Sequence, residues 1–282
     1  MKIVFSPCPN DTFIFHAWVH GLIPGAPKLD VTYADIDITN SLAAGVNGPE
    51  VLKISYAALP WVLSEYALLP CGGALGRGCG PLVLTPDRTG GANGPAALAG
   101  RRVAVPGERS TAYLLFQLWT ARHVPESVGE IVVLPFNEIM PAVRDGLVDA
   151  GLVIHEARFT YPSYGLTLLA DLGRWWEAET GLPLPLGAII ARRSLDLPAV
   201  ASWIQASLAY AWAHPEASRE YVLSRAQELA PEVVEAHIKL YVNEYTMDLG
   251  ETGYEAVATL LSRAAREGLV PEVNPAALRT SP

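Results

Sequence analysis

The chain has 282 residues, 50% of them hydrophobic and 17% charged, so it can bury a large core, and its length favours two domains over one. A formal net charge of −9, with lysine and arginine scattered along the chain, argues against a nucleic-acid or anionic-membrane surface, since either needs massed positive charge. Three cysteines, Cys8, Cys71 and Cys79, without CxxC spacing, indicate neither a disulfide framework nor a zinc site.

The elements follow in chain order. Residues 2–5 read as a short buried strand, broken by SPCPN; Asn10, Asp11 and Thr12 then offer side-chain oxygens to cap a helix running to about residue 20. The opening MKIVFSPCPND is too short in apolar residues for a secretory signal, and no apolar run reaches the roughly 20 residues of a membrane helix, so a cytoplasmic protein is expected. Strands are expected at 29–36 and 51–58, with a short helix near 41–44 between them. The next strand, 81–85, precedes a Gly, Pro and Asn-rich stretch from 86 to 100 that reads as a passage between lobes.

A second lobe then repeats the alternation. A strand at 102–105 runs into PGERST and an apolar helix at 112–121, followed by a strand at 131–134, a helix at 138–144 stopped by Gly146, and a strand at 150–154. A strand at 166–171, a helix at 175–180 and a return strand at 186–191 come next. Helices at 199–213, 217–228, 232–241 and 253–267 complete the chain. The expected fold is α/β with two lobes, a larger discontinuous one of residues 1–85 and 191–282 and a smaller one of 86–190, joined by a double crossover with a ligand cleft between them.

Each candidate motif carries a plain structural reading beside a functional one. His16 and His20 stand four apart on a helix, a metal-gripping spacing, but HAWVH lacks the glutamate of HExxH, and packing against the core is the plainer reading. GGALGRGCG, 72–80, matches neither GxGxxG after a strand nor the P-loop; its glycines serve close backbone approach or a hinge. Ser110 and Thr111 put hydroxyls beside the free N–H groups of a helix start, suited to a carboxylate or to a simple cap. KISY, 53–56, sets Ser55 near a strand end, with Lys53 as a snorkelling lysine in the plain reading. His155, just past the strand at 150–154, either satisfies a backbone carbonyl or projects into the expected cleft. With no nucleophile in a GxSxG-like setting, its work there would be acid–base chemistry on the substrate.

The motifs FSPCPNDTFIFHAWVHG, KISYAAL, GGALGRGCGPLVL, RVAVPGERSTAYLL, the IHEARFTYPSYGL run and TGLPLPLGAI resemble the 1,4-dihydroxy-6-naphthoate synthase family of the futalosine route to menaquinone, over nearly the whole chain. The resemblance implies a type II periplasmic-binding-protein-like fold. It also implies a lyase that converts cyclic dehypoxanthinyl futalosine to dihydroxynaphthoate and releases dihydroxyacetone, with no metal or organic cofactor. Carried across, the catalytic base falls on His155 and the contacts to a small carboxylate substrate on Lys53, Ile54, Ser55, Ser110 and Thr111, with Asn40 assigned to the cleft. Serine at 110, where the family commonly has threonine, keeps the hydroxyl. Glu156 is given no role beyond orienting its neighbours or pairing with Arg158. The alternatives are a solute-binding protein that closes on a carboxylate without changing it, and the related chorismate dehydratase.

Overall fold

Lys2–Phe5, KIVF, forms β1 in the computed structural model of the chain, which describes residues 1–45, 47–86, 94–226 and 230–279. Three of its four side chains are buried, and its turn delivers the chain to α1 (Pro9–Val19), where Pro9 at the first helical position needs no amide partner. Then come β2 (Asp30–Tyr33), α2 (Ile36–Ala43), the wholly buried β3 (Val51–Ser55), and two short strands, β4 (Tyr66–Leu68) and β5 (Ala74–Gly76). The sequence extended the third strand to residue 58; the chain instead turns into a 3-10 helix at Tyr56–Trp61, where Pro60 has no N–H for a ladder.

The following stretch is β6 (Leu82–Pro86), β7 (Arg102–Val105), α3 (Thr111–His123), β8 (Glu130–Val133), α4 (Phe136–Arg144), β9 (Ala150–Val153), α5 (Ala157–Thr160), β10 (Leu166–Asp171) and α6 (Leu172–Thr180). The long β11 (Leu184–Arg192) leads into α7 (Leu197–Ala213), α8 (Pro215–Arg225), α9 (Pro231–Tyr241), α10 (Glu244–Met247) and α11 (Gly250–Arg266). Part of the expected passage at 86–100 and the end of the expected helix at 217–228 lie outside the described residues.

The chain divides into two units, Met1–Gly76 with Pro185–Pro282, and Arg77–Leu184, so that it leaves the first unit once and returns once. The expected passages lie somewhat further along the chain. In the first unit the sheet order is β2-β1-β3-β11-β4, with β5 also paired to β11. Strands β1, β2 and β3 run parallel and β11 is antiparallel to its neighbours β3 and β4, the pattern of a chain that returns from elsewhere to close its own sheet. Phe5, Phe13, Ile14, Phe15 and Trp18 pack with Val200, Ile204 and Leu208 of α7 and Val222 of α8. Ser207 of α7, polar within this core, is fully buried and satisfied: its hydroxyl donates to the Ile14 carbonyl at 2.6 Å and accepts from the Trp18 amide at 3.2 Å.

In the second unit the order is β10-β6-β9-β7-β8, with β7 parallel to β8 and β9, and β6 antiparallel to β9 and β10. Leu82, Leu84, Ala104, Ile139, Met140, Val143 and Val153 form its core. Each unit therefore sets three parallel strands whose C-terminal ends open into loops at helix starts, where α/β sheets hold their ligands.

Candidate functional site

In the first unit the sequence-derived candidates gather around the ends of β1 and β3. Ser55, the last residue of β3, is held twice by Asn40 of α2: its amide donates to Asn40 Oδ1 at 2.8 Å, and its hydroxyl accepts from Asn40 Nδ2 at 3.1 Å. Both are almost fully buried. Asn40 thus fixes the orientation of Ser55, and the amide's own direction is settled because the Ser55 N–H must face an oxygen. Ile54, next to Ser55 in β3, is completely buried, so any contact it makes with a ligand would be through its main chain.

Lys53 does not snorkel. It lies within β3 with its side chain 4% exposed, and its ammonium meets Asp11 Oδ1 at 2.6 Å and the Gly72 carbonyl at 3.3 Å. Two buried charges are tolerable only if they are paired and their remaining hydrogen-bonding capacity is met. Asp11 satisfies that condition, accepting also from Ser6 Oγ at 2.9 Å and Asn10 Nδ2 at 2.8 Å. The Asn10 oxygen consequently faces His237 Nε2 of α9 at 3.0 Å, so that nitrogen carries the proton. Gly187 on β11 lies over the lysine stem, and a Cβ there would come within 2.8 Å of Lys53 Cε.

The sequence assigned Asn10, Asp11 and Thr12 to the helix cap, and the structure corrects this. The cap position is Cys8, whose side chain makes no capping hydrogen bond, and Asn10 and Asp11 serve the buried network instead. Thr12 turns its hydroxyl back to the Cys8 carbonyl at 3.0 Å.

In the second unit, Ser110 caps α3. Its hydroxyl accepts from the Tyr113 amide at 3.1 Å and donates to the Gly107 carbonyl at 2.8 Å, so its proton is already committed within the loop. Thr111, the first helical residue and 3% exposed, follows directly and shares the positive end of a 13-residue helix.

His155 stands two residues beyond β9, whose four side chains are all buried. Its φ is +54°, and among the described residues it is the one non-glycine with a positive φ. Histidine tolerates the left-handed region better than most residues, but the conformation still carries a cost of order 1–3 kcal/mol and persists only where its surroundings impose it. The reversal ends the strand and brings the half-buried imidazole edge-on to Phe136, the first residue of α4, with ring centroids 5.0 Å apart. Glu156, next in the chain, is 5% exposed. Arg158, offered by the sequence as its partner, gives its guanidinium to Asp171 Oδ2 at 2.6 Å and to the Gly80 carbonyl at 2.8 Å.

The remaining candidates are structural. His20 Nδ1 is taken up by the His16 carbonyl at 2.8 Å, the two rings lie 4.6 Å apart, and both pack on Tyr221. Burial, and secondarily His20, lowers the pKa of His16. Burial pushes the thiols of Cys71 and Cys79 up to about 12, so neither offers a thiolate to substrate or metal at neutral pH. In GGALGRGCG, Gly80 is required by contact: a Cβ on it would overlap the Gly173 backbone. Among the described residues no helix is long and apolar enough to cross a membrane.

The sequence profile of a family described as menaquinone biosynthesis matches residues 1–266. A protein of Streptomyces coelicolor named 1,4-dihydroxy-6-naphtoate synthase is 64% identical over 99% of this chain and 97% of its own. One of Thermus thermophilus with the same name is 48% identical over 95% of each. Among solved structures, a protein of Archaeoglobus fulgidus superposes with a TM-score of 0.86 at 33% identity, covering 95% of this chain and 98% of that one. The alkanesulfonate-binding protein of Xanthomonas axonopodis, at 15% identity, TM-score 0.72 and coverage of 96% and 94%, shares the fold alone, which is that of periplasmic binding proteins. Matched over nearly its whole length by the profile and by both relatives, the chain belongs to the menaquinone-biosynthesis family.

Proposed function

We propose that this chain is a 1,4-dihydroxy-6-naphthoate synthase, a carbon–carbon lyase that acts on cyclic dehypoxanthinyl futalosine and releases dihydroxyacetone. Its family and its two named relatives support the activity. The observation that carries the chemistry is the left-handed conformation of His155, a strained backbone spent on aiming one imidazole.

In this reading neutral His155 removes the proton of a substrate hydroxyl. The O–H electron pair becomes the second bond of a carbonyl on the departing three-carbon piece, and the carbon–carbon bond breaks towards the ring. The electrons left on the ring carbon are quenched by a proton, and aromatisation makes the cleavage favourable. A single positioned base suffices, and such bases contribute about a hundred- to ten-thousandfold in rate. The remaining candidates bind. The N–H groups opening α3, with the Thr111 hydroxyl, suit the substrate carboxylate. Ser55, held in place by Asn40, presents a hydroxyl of fixed orientation, and Ile54 contributes only main chain. Lys53 acts from behind, its charge matched by Asp11. Ser110 stiffens the carboxylate seat as its cap.

A non-catalytic binder of the same fold has no need of a strained histidine, and neither named relative is a chorismate dehydratase. Incubation of the purified chain with cyclic dehypoxanthinyl futalosine should yield dihydroxynaphthoate and dihydroxyacetone in equal amounts. Tight binding of an unchanged substrate would favour the binder.

A further inference from the structure

A left-handed histidine after a buried strand has to be held from outside its own turn. Within the turn the Arg158 amide reaches the His155 carbonyl at 3.3 Å, the Phe159 and Thr160 amides reach the Glu156 carbonyl at 2.8 and 3.2 Å, and α5 is only four residues long. The Arg158 side chain supplies an external hold. Its two terminal nitrogens go to different places, Nη1 to the Gly80 carbonyl ahead of β6 and Nη2 to Asp171 at the end of β10.

Both anchors are themselves fixed. Asp171 Oδ1 accepts from the Gly173 and Arg174 amides at 3.0 and 3.1 Å, so its carboxylate is immobilised as the cap of α6. Gly80 is wedged against Gly173 so closely that a Cβ on Gly173 would fall within 2.7 Å of the Gly80 nitrogen. The pair is largely dry, with Arg158 and Asp171 side chains 16% and 6% exposed. Arg174 also approaches Asp171, at 3.7 Å, but it is 81% exposed and too solvated to replace Arg158.

We infer that Arg158 is a positioning residue for the reaction: by strapping the α5 turn to Gly80 and Asp171 it holds His155 in its left-handed conformation and its ring against Phe136. The inference rests on the reading of His155 as the base. A planar guanidinium satisfies two divergent acceptors at once, whereas a lysine ammonium satisfies one at a time from a flexible stem. This also accounts for the last glycine of GGALGRGCG, whose carbonyl can serve as an anchor because nothing but hydrogen projects from its Cα.

The test uses the full chain with Arg158→Met and Arg158→Lys, kinetics on cyclic dehypoxanthinyl futalosine, and the NMR shifts of the His155 ring protons in the free protein, assigned among six histidines with His155→Asn. In Arg158→Met, kcat should fall about ten- to a hundredfold with KM within about twofold, the loss expected when a reacting group is displaced by about 1 Å. The Phe136 ring-current contribution to the His155 shift should collapse in step, and Arg158→Lys should recover part of both. If Arg158→Met does not fold, Arg158→Lys carries the test, with a kcat-only loss and a partial change in shift. An unchanged His155 shift, or an unchanged kcat in a protein whose His155→Asn variant is inactive, overturns the inference and leaves the base reading intact. A fully active His155→Asn sinks the base reading first and the inference with it.

Discussion

Lys53→Met is the most informative perturbation of the first unit. The substitution keeps the stem that packs on Gly187 and removes the charge, leaving the Asp11 carboxyl, 2% of its side chain exposed, without its ion-pair partner. Breaking a buried ion pair costs about 3–5 kcal/mol, because the surviving charge has lost its partner without regaining water. Asp11 keeps the Ser6 and Asn10 donors, which places the cost near the lower end, about 3 kcal/mol. At roughly 2–4 °C per kcal/mol for larger domains, the thermal midpoint at pH 7 should drop by about 6–12 °C. The double variant Lys53→Met/Asp11→Asn should cost less than the sum of the single changes by about 1–3 kcal/mol, the coupling of residues in direct contact. A fall of less than about 2 °C for Lys53→Met, the scale of an exposed pair, would refute the reasoning.

Other substitutions probe the remaining claims. Gly80→Ala should destabilise the second unit by more than about 2 kcal/mol, read by chemical denaturation, because backbone rather than a flexible side chain occupies the Cβ position. Ser110→Ala should cost about 1 kcal/mol through the lost cap while Ser110→Thr stays close to the parent protein; equal losses would show that capping is not the role of the hydroxyl. The pKa of His16 is lowered in the folded chain, so the unfolded chain binds more protons near pH 6. Its contribution to stability is therefore complete above the unfolded value of about 6.5 and is lost as pH falls through that value and below it. His16→Gln should flatten the thermal midpoint between pH 7 and 5, and an unaltered slope would contradict the assignment.

Local signals in the sequence were enough to read the strands β1, β7, β9 and β10 and the long helices, because apolar runs and helix-period patterns are properties of neighbouring residues. The three-residue strands β4 and β5 carry no period and escape the sequence, and although the return strand itself is legible, its antiparallel insertion between β3 and β4 is a long-range pairing that no local pattern encodes. The site divides the same way. Of the two readings of Ser110, carboxylate contact or cap, the cap is seen, since the cap and its Tyr113 amide are three residues apart. Asp11 was misread because its partner Lys53 is 42 positions away, and Pro9 moved the helix start upstream of the expected cap. His237, 227 positions from Asn10, had no sequence signal at all. The sequence offers Arg158 as one possible partner of Glu156, whereas the Arg158 ion pair lies 13 residues on, at the turn where β10 becomes α6. The position of His155 at a strand end was legible, but its left-handed backbone was not, because that is imposed by anchors outside the turn.

The most direct measurement is the turnover of His155→Asn with cyclic dehypoxanthinyl futalosine, alongside its affinity for dihydroxynaphthoate and the pH–rate profile of the parent protein. Asparagine keeps a polar side chain and tolerates a positive φ, so the turn should survive while the base is removed. The expected result is a loss of at least about a hundredfold in kcat with product affinity nearly unchanged, and a parent enzyme whose rate falls as pH is lowered, since protonating a base disables it. Turnover by His155→Asn within about threefold of the parent, far inside the usual contribution of a general base, would contradict the account.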